Sequence, residues 1–180
     1  MNSNSPQTLV KLSKPKIFLL TVGSIGFVCL GFWIGKKVGL KITFDTVLAQ
    51  LISLITILFF GMTSLYGLMK LFDFRPGLVI NSNGIFDNSS AIGGQLINWK
   101  DITGFDIIQI RSTKFLLVYV NNPKDYLNKA NSFKRFWMRL NEKKFGTPLS
   151  ISSNSLEYNF DELLNIIDDK LKEYIAQQRV

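Results

Sequence analysis

Two long apolar segments stand near the start of the chain and separate it into regions of different pattern. Residues 17–35 form a run of 19 without a charged side chain, and residues 46–69 form a second run of 24. An α-helix rises about 1.5 Å per residue, so the runs would extend roughly 28 Å and 36 Å, against about 30 Å for a bilayer core. We predict a transmembrane helical hairpin over residues 17–72, with spans at about 17–35 and 46–71.

The basic residues near these runs predict how the hairpin is oriented. The chain carries a formal net charge of +8, and its flanks beside the two runs hold eight basic residues against Asp45 and Asp73. Five of the eight lie at the outer ends of the two runs and three lie in the loop between them; they are Lys11, Lys14, Lys16, Lys70 and Arg75, and Lys36, Lys37 and Lys41. Positive charge favours the cytoplasmic side, so both termini are expected there. Charge placed in this way indicates membrane anchoring and argues against nucleic acid as a partner.

Residues 1–16 are polar and basic, and we predict a disordered tail there. A cleaved signal peptide is the competing interpretation of the first apolar run. That run is longer than the usual h-region, ends in Lys36 and Lys37, and has no small-residue cleavage site before those lysines. These features favour a retained span.

Glycines recur along both runs and suggest close helix packing. Gly31 and Gly35 match the small-xxx-small spacing that lets two helix backbones approach. The glycines predicted to pack the hairpin are Gly23, Gly26, Gly31, Gly35, Gly61 and Gly67. The alternative is that lipid-facing helices simply tolerate glycine, and the sequence leaves both interpretations open.

From Pro76 onward, short alternating segments replace the long apolar runs. Strands are predicted at 77–81 and 84–88, joined by an Asn/Gly turn, then at 94–99, 105–110, 115–120 and 147–152, with a turn at 101–104. Strands of this length and spacing are typical of a small antiparallel barrel or sandwich. We therefore predict one domain over residues 76–180, which is too short for two.

Three helices interrupt or close this β pattern. Short helices are predicted over 123–130 and 132–144 as an insert, and a final helix begins after Asn159, a favourable N-cap. One stripe of the final helix is apolar, and we expect it to cover the barrel; it comprises Phe160, Leu163, Leu164, Ile167, Leu171, Tyr174 and Ile175.

The chain offers little for catalysis. It has no histidine and one cysteine, Cys29, so the commonest metal ligand and general base are missing and no intrachain disulfide can form. The adjacent acidic pairs at 161–162 and 168–169 are better explained by the helix dipole and by an i,i+4 pair of Asp168 with Lys172. We expect no enzyme activity, no catalytic or metal site and no cofactor.

The segment from Lys124 to Lys144 is the strongest candidate for function. It holds a net charge of +5, whereas the whole region from Pro76 holds only +2. Within it, a basic helix with an aromatic face would suit an anionic lipid surface. The alternative is that this face packs on the barrel and only the basic back meets solvent. The candidate lipid or partner contacts are Phe133, Lys134, Arg135, Phe136, Trp137, Arg139, Leu140, Lys143 and Lys144.

The chain resembles the small bacterial membrane proteins that carry two transmembrane helices followed by a pleckstrin-homology-like (PH-like) domain. The resemblance lies in the hairpin at 17–72 and in segments 76–81, 84–88, 97–102, 120–126 and 159–164. It implies an α+β protein of the inner membrane, with a split β-barrel, a C-terminal capping helix and a helical insert at 122–144.

Two functions are expected from this combination. The first is a non-enzymatic integral membrane protein whose cytoplasmic domain contacts anionic lipid head groups or serves as a scaffold. The alternative is a subunit of a hetero-oligomeric membrane complex, or of a homo-oligomer, that docks through its glycine-rich helices.

Overall fold

The computed structural model describes residues 7–38, 43–90 and 92–178. The chain divides into two compact units: Lys14–Phe74 is one, and the segment up to Ser13 together with the chain from Arg75 onward is the other. Residues 1–6 of the predicted tail, Lys41 of the predicted loop and residues 179–180 of the predicted domain lie outside the described residues.

The first unit is a helical hairpin made of α1, Lys14–Val38, and α2, Phe44–Leu71. Both helices are long and apolar enough to span a membrane, as predicted. Most of their apolar side chains are exposed, because each helix is apolar around its whole circumference. At the open end of the hairpin, the Lys14 ammonium donates to the carbonyl oxygens of Lys70 at 2.8 Å and Leu71 at 3.0 Å, which satisfies the last turn of α2.

The second unit begins before the hairpin, which corrects the predicted disordered tail. Strand β1, Thr8–Val10, pairs antiparallel with β2, Leu78–Asn81. Val10 and Leu12 are almost fully buried, so this short segment supplies core side chains to the domain. The hairpin is therefore inserted in the chain between the first two strands of the domain.

Within the described residues, seven strands form two antiparallel sheets. The first has the order β1-β2-β3-β4, with β3 at Gly84–Asp87 and β4 at Gln95–Asn98. The second has the order β5-β6-β7, with β5 at Ile102–Ile110, β6 at Thr113–Val120 and β7 at Leu149–Ser152. All six predicted strands are present. The predicted turn at 101–104 is wrong: a single 3-10 turn at Trp99–Asp101 precedes β5, and a register shift between Ile102 and Gly104 follows.

Among its described residues, three helices complete the domain, at the positions predicted. They are α3, Pro123–Lys129, α4, Ser132–Phe145, and α5, Phe160–Gln178. Phe160, Leu163 and Ile167 of α5 are buried in a core that includes both sheets, whereas Ile175, at the far end of the predicted stripe, is 43% exposed. Trp99 is buried in the same core, and its indole nitrogen donates to the carbonyl of Asn81 at 2.7 Å. The domain is thus a mixed α+β unit built around one core.

Candidate membrane-contact site

Helix α4 has well-defined ends, which fix its orientation on the domain. The side chain of Asn131 accepts a hydrogen bond from the amide of Lys134 at 2.9 Å and caps the N-terminus. Gly146 ends the helix in the left-handed conformation, with φ at 78°, and its amide donates to the carbonyl of Glu142. Glycine suits this position because a side chain would strain it.

One face of α4 packs on the domain through a single apolar residue and several polar ones. Met138 is 1% exposed and belongs to the main core. The Gln95 side chain of β4 donates to the Met138 sulfur at 3.8 Å, and Asn141 donates to the Ser150 hydroxyl of β7 at 3.0 Å. The helix therefore lies against both sheets.

Two of the predicted lipid contacts hold α4 in place instead. The Lys134 ammonium donates to the carbonyl of Gly93 at 2.6 Å. The Arg135 guanidinium donates to the carbonyls of Leu127 at 3.0 Å and Ala130 at 2.9 Å, at the end of α3. Both head groups are engaged by the backbone of the domain, so their charge serves first to fix the helix.

The aromatic face of α4 points to solvent. Phe133, Phe136, Trp137 and Leu140 are 55%, 58%, 46% and 43% exposed. The Trp137 ring makes edge contacts with Phe136 and Phe133, at centroid distances of 5.5 Å and 6.4 Å. The alternative in which these four side chains pack on the barrel is therefore wrong.

Exposed cations border this aromatic face. Residues on an α-helix are about 100° apart, so Arg139 and Lys143 fall along one side of the face and Lys144 follows Leu140 by one turn. All three are exposed. The Lys144 ammonium lies 5.0 Å from the centroid of the Phe145 ring. Apolar rings edged by cations are the arrangement that inserts into an anionic head-group layer.

A partly buried polar network supports α3, and through α3 it supports α4. The Tyr126 hydroxyl donates to the Asp101 carboxylate at 2.8 Å, and the Asn98 side chain donates to the same carboxylate at 3.0 Å. The Asn98 hydrogen bond is the main cause that lowers the pKa of Asp101. Burial, assisted by the bond to Asp101, raises the pKa of Tyr126 to about 12. The network favours a charged aspartate and a neutral tyrosine, and it ties α3 to the start of β5.

The predicted glycine contacts divide into two groups. A Cβ atom on Gly31, Gly35 or Gly67 would come within 3 Å of a side chain on the other helix, so these three lie at the helix interface. At Gly31 the contact is reinforced by the Ser53 hydroxyl, which donates to the Gly31 carbonyl at 2.6 Å. A Cβ on the remaining three would meet nothing within 4 Å; these are Gly23, Gly26 and Gly61.

Asp161, Asp168 and Glu173 of α5 form ion pairs. The predicted pair of Asp168 with Lys172 is confirmed, at 2.5 Å, and it raises the pKa of Lys172. Asp161 pairs with Lys114 of β6 at 2.9 Å, a long-range contact that the sequence did not indicate. Within residues 7–38, 43–90 and 92–178, no group of three His, Cys, Asp or Glu side chains is arranged to hold a metal ion.

Sequence reasoning missed two features of this domain. One is the anchoring role of Lys134 and Arg135, which a helical wheel cannot distinguish from a solvent-facing role. The other is a groove between β5 and α5, lined by residues far apart in the chain. Comparison of the chain with protein-family models, with curated proteins and with solved structures gave no match.

Proposed function

We propose that this chain is an integral membrane protein whose domain docks on the anionic surface of the bilayer through α4. The observation that carries the proposal is the exposed aromatic face of α4 with its border of cations. Soluble domains rarely expose so many large apolar side chains together unless that surface meets a membrane or a partner.

The connections between the two units support membrane proximity. Three residues, 11–13, join β1 to α1, and six residues, 72–77, join α2 to β2. An extended chain covers at most about 3.6 Å per residue, so these links reach roughly 11 Å and 22 Å. If the hairpin crosses the bilayer, the domain is held near the membrane surface at two points, and docking becomes an intramolecular step with a high effective concentration.

Charge supports an anionic lipid surface as the contact. The segment 124–144 has a net charge of +5, while the rest of the second unit, which also includes Lys11 and Arg75, has a net charge of −1. The positive charge of the domain is therefore concentrated in this segment, which anionic lipids attract. The cytoplasmic leaflet carries such lipids, and the five-to-three excess of basic residues at the outer ends of the two apolar runs favours the same side.

The finer fold assignment belongs to the same proposal. Two antiparallel sheets of four and three strands, followed by a C-terminal helix whose apolar side enters their core, match the arrangement expected of a PH-like domain. In this protein the insert of α3 and α4 supplies the membrane contact. We place the protein in a bacterial inner membrane, with both termini and the domain in the cytoplasm.

A fluorescent probe on α4 tests the docking. In a Cys29→Ser background, Leu140→Cys is labelled with an environment-sensitive dye, and Asn165→Cys on α5 is the matched control. In nanodiscs with anionic lipid, the dye at 140 should shift its emission to the blue, and the shift should shrink in zwitterionic nanodiscs. Equal spectra at 140 and 165 in both lipids would refute docking through α4.

The same cysteine at 165 tests the orientation. A reagent that does not cross membranes should label it in intact cells only after permeabilisation, if the domain is cytoplasmic. Labelling before permeabilisation would place the domain on the other side.

A second candidate function is membership of a hetero-oligomeric membrane complex. Gly23 and Gly26 favour it. A Cβ atom built on either glycine would meet no other atom within 4 Å, so the two glycines leave a small-residue surface on α1. A stoichiometric membrane partner that copurifies in mild detergent and is lost with Gly23→Leu/Gly26→Leu would support it. Retention of the partner by that variant would exclude this surface.

A further inference from the structure

Strand β5 is an outer strand of the second sheet and the longest edge of the domain. It has nine residues and, in the part of the chain that the structure describes, pairs only with β6, whereas the other outer strands, β1, β4 and β7, have three, four and four. Alternate residues of an outer strand direct their N–H and C=O groups away from the sheet. Long unpaired edges of this kind are templates for another strand.

A groove runs beside this edge. Its volume is about 330 Å³, and it lies between β5 and α5. Its lining consists of apolar residues from both sheet and helix together with two aspartates; these are Phe105, Ile107, Leu116, Leu164 and Ile167, and Asp106 and Asp168. Ile107 is 48% exposed, so apolar surface is available there in the domain as it stands.

Asp106 lies between Phe105 and Ile107 and borders the groove, and the alternation of the strand directs its side chain away from theirs. It is exposed and forms no ion pair within residues 7–38, 43–90 and 92–178. Its carboxylate accepts a hydrogen bond from the amide of Ile107 at 2.7 Å. A carboxylate in this position meets any strand that pairs with β5.

We infer that β5 accepts a fourth strand from a partner polypeptide, and that the segment it takes alternates apolar and polar residues around one basic residue. The residue directly opposite Asp106 in an added strand shares its face of the sheet, where a lysine or arginine forms a cross-strand ion pair. The residues on either side of that lysine point to the other face and enter the groove, where apolar side chains are favoured. Backbone hydrogen bonds give affinity, and these side chains give specificity.

The charge of Asp106 also separates this partner from a second copy of the chain. Two β5 edges paired antiparallel about a two-fold axis at their centres would bring the two Asp106 carboxylates together. Like charges directly opposite are destabilising in a sheet. A basic segment removes that repulsion, so the edge favours a different polypeptide over self-association.

Designed peptides test the inference with the full-length protein in detergent micelles. The probe is a fluorescent nine-residue peptide of alternating threonine and valine, with lysine at its centre and valine on each side. A second peptide has glutamate in place of the lysine. The lysine peptide should bind saturably and about tenfold more tightly than the glutamate peptide, and Asp106→Lys should reverse that preference.

Backbone pairing is tested with two further lysine peptides, each methylated on one of the two alternating sets of amide nitrogens. Methylation should abolish binding only when it is on the amides that face β5, because the other amides face solvent. Thermal unfolding of Asp106→Lys should match that of the wild type, since the side chain is exposed. Absence of saturable binding, equal affinity for the lysine and glutamate peptides, an unchanged preference in Asp106→Lys, or equal binding of both methylated peptides would each overturn the inference.

Discussion

Replacing the two most central rings of α4 is the sharpest test of membrane docking. In Phe136→Ser/Trp137→Ser the helix keeps its caps and its contacts with the domain, because both rings point away from it. About half of the surface that the variant removes is exposed when the domain is undocked. Its expected effect is a loss of docking without a loss of folding.

The magnitude follows from the exposed area. Aromatic side chains present about 150–250 Å², and Phe136 and Trp137 are 58% and 46% exposed, so each offers about 100 Å² for burial. At about 25 cal/mol per Å², complete transfer from water would contribute about 5 kcal/mol for the pair. A head-group layer removes only part of that surface from water, and we take about half, 2–3 kcal/mol. The ratio of docked to undocked protein should fall about 30- to 150-fold.

The assay is the emission of the dye at position 140 in anionic nanodiscs, measured in the Cys29→Ser background. Ile175→Ser is the matched control, because Ile175 is an exposed apolar residue of α5 outside the proposed contact. The control should keep the blue-shifted spectrum, while the double variant should lose it and still unfold in one cooperative thermal transition. A blue shift that survives in Phe136→Ser/Trp137→Ser would refute the reasoning.

Three further predictions concern charge, the hairpin and pH. Arg139→Glu/Lys143→Glu should weaken docking at low salt and have less effect at high salt, because screening reduces the attraction that the substitutions remove. Gly31→Leu should loosen the hairpin, since the leucine side chain would collide with the other helix, while Gly23→Leu should be tolerated. Disulfide crosslinking between cysteines placed in the two helices measures the difference between the two variants. The pKa of Tyr126 is about 12 in the folded domain, above its ordinary value near 10, so folding favours the neutral phenol. The resulting contribution to the free energy of unfolding is complete below pH 10 and disappears as the pH rises from 10 through 12. Chemical unfolding at each pH should measure this loss, which is about 3 kcal/mol.

Each of these has an outcome that would contradict it. If docking of the charge-reversed and wild-type proteins depended equally on salt, electrostatic attraction through Arg139 and Lys143 would not contribute to docking. Equal crosslinking of the two glycine variants would remove the distinction between inner and outer glycines. In Tyr126→Phe the part of the alkaline destabilisation due to this group should vanish, and an unchanged pH profile would show that Tyr126 is not its source.

Much of the domain could be predicted because its signals are local. The strand at 115–120 is rich in β-branched and aromatic residues, and Asn159 precedes an apolar stripe with helical spacing. Turn residues such as Asn81 also act within a few positions: its side chain accepts a hydrogen bond from the amide of Asn83. These elements therefore lie where their sequences indicate.

Strand β1 could not be predicted in the same way. Thr8–Val10 is too short to show a period, and its partner β2 begins at Leu78, beyond the whole hairpin. Only pairing across that distance makes it a strand. Polar neighbours on both sides gave the opposite indication, and the prediction of a disordered tail was wrong for this reason.

The direction in which α4 points was also undetermined by its pattern. An aromatic stripe on a basic helix is compatible with burial on a barrel and with exposure to lipid. The choice depends on Met138, which fills the core from the opposite side, and on the carbonyls that receive Arg135. The same limitation applies to the glycines, since spacing alone did not separate Gly31 at the interface from Gly26 away from it.

The depth of α4 in the bilayer is the most direct test of the central claim. Dyes at Leu140→Cys and Asn165→Cys would be compared in anionic bilayers that contain lipids with nitroxide quenchers at the head group or along the acyl chain. Docking through α4 predicts strong quenching at 140 by the shallow nitroxides and little quenching at 165. Equal, weak quenching at both positions would show that the aromatic face of α4 does not enter the membrane.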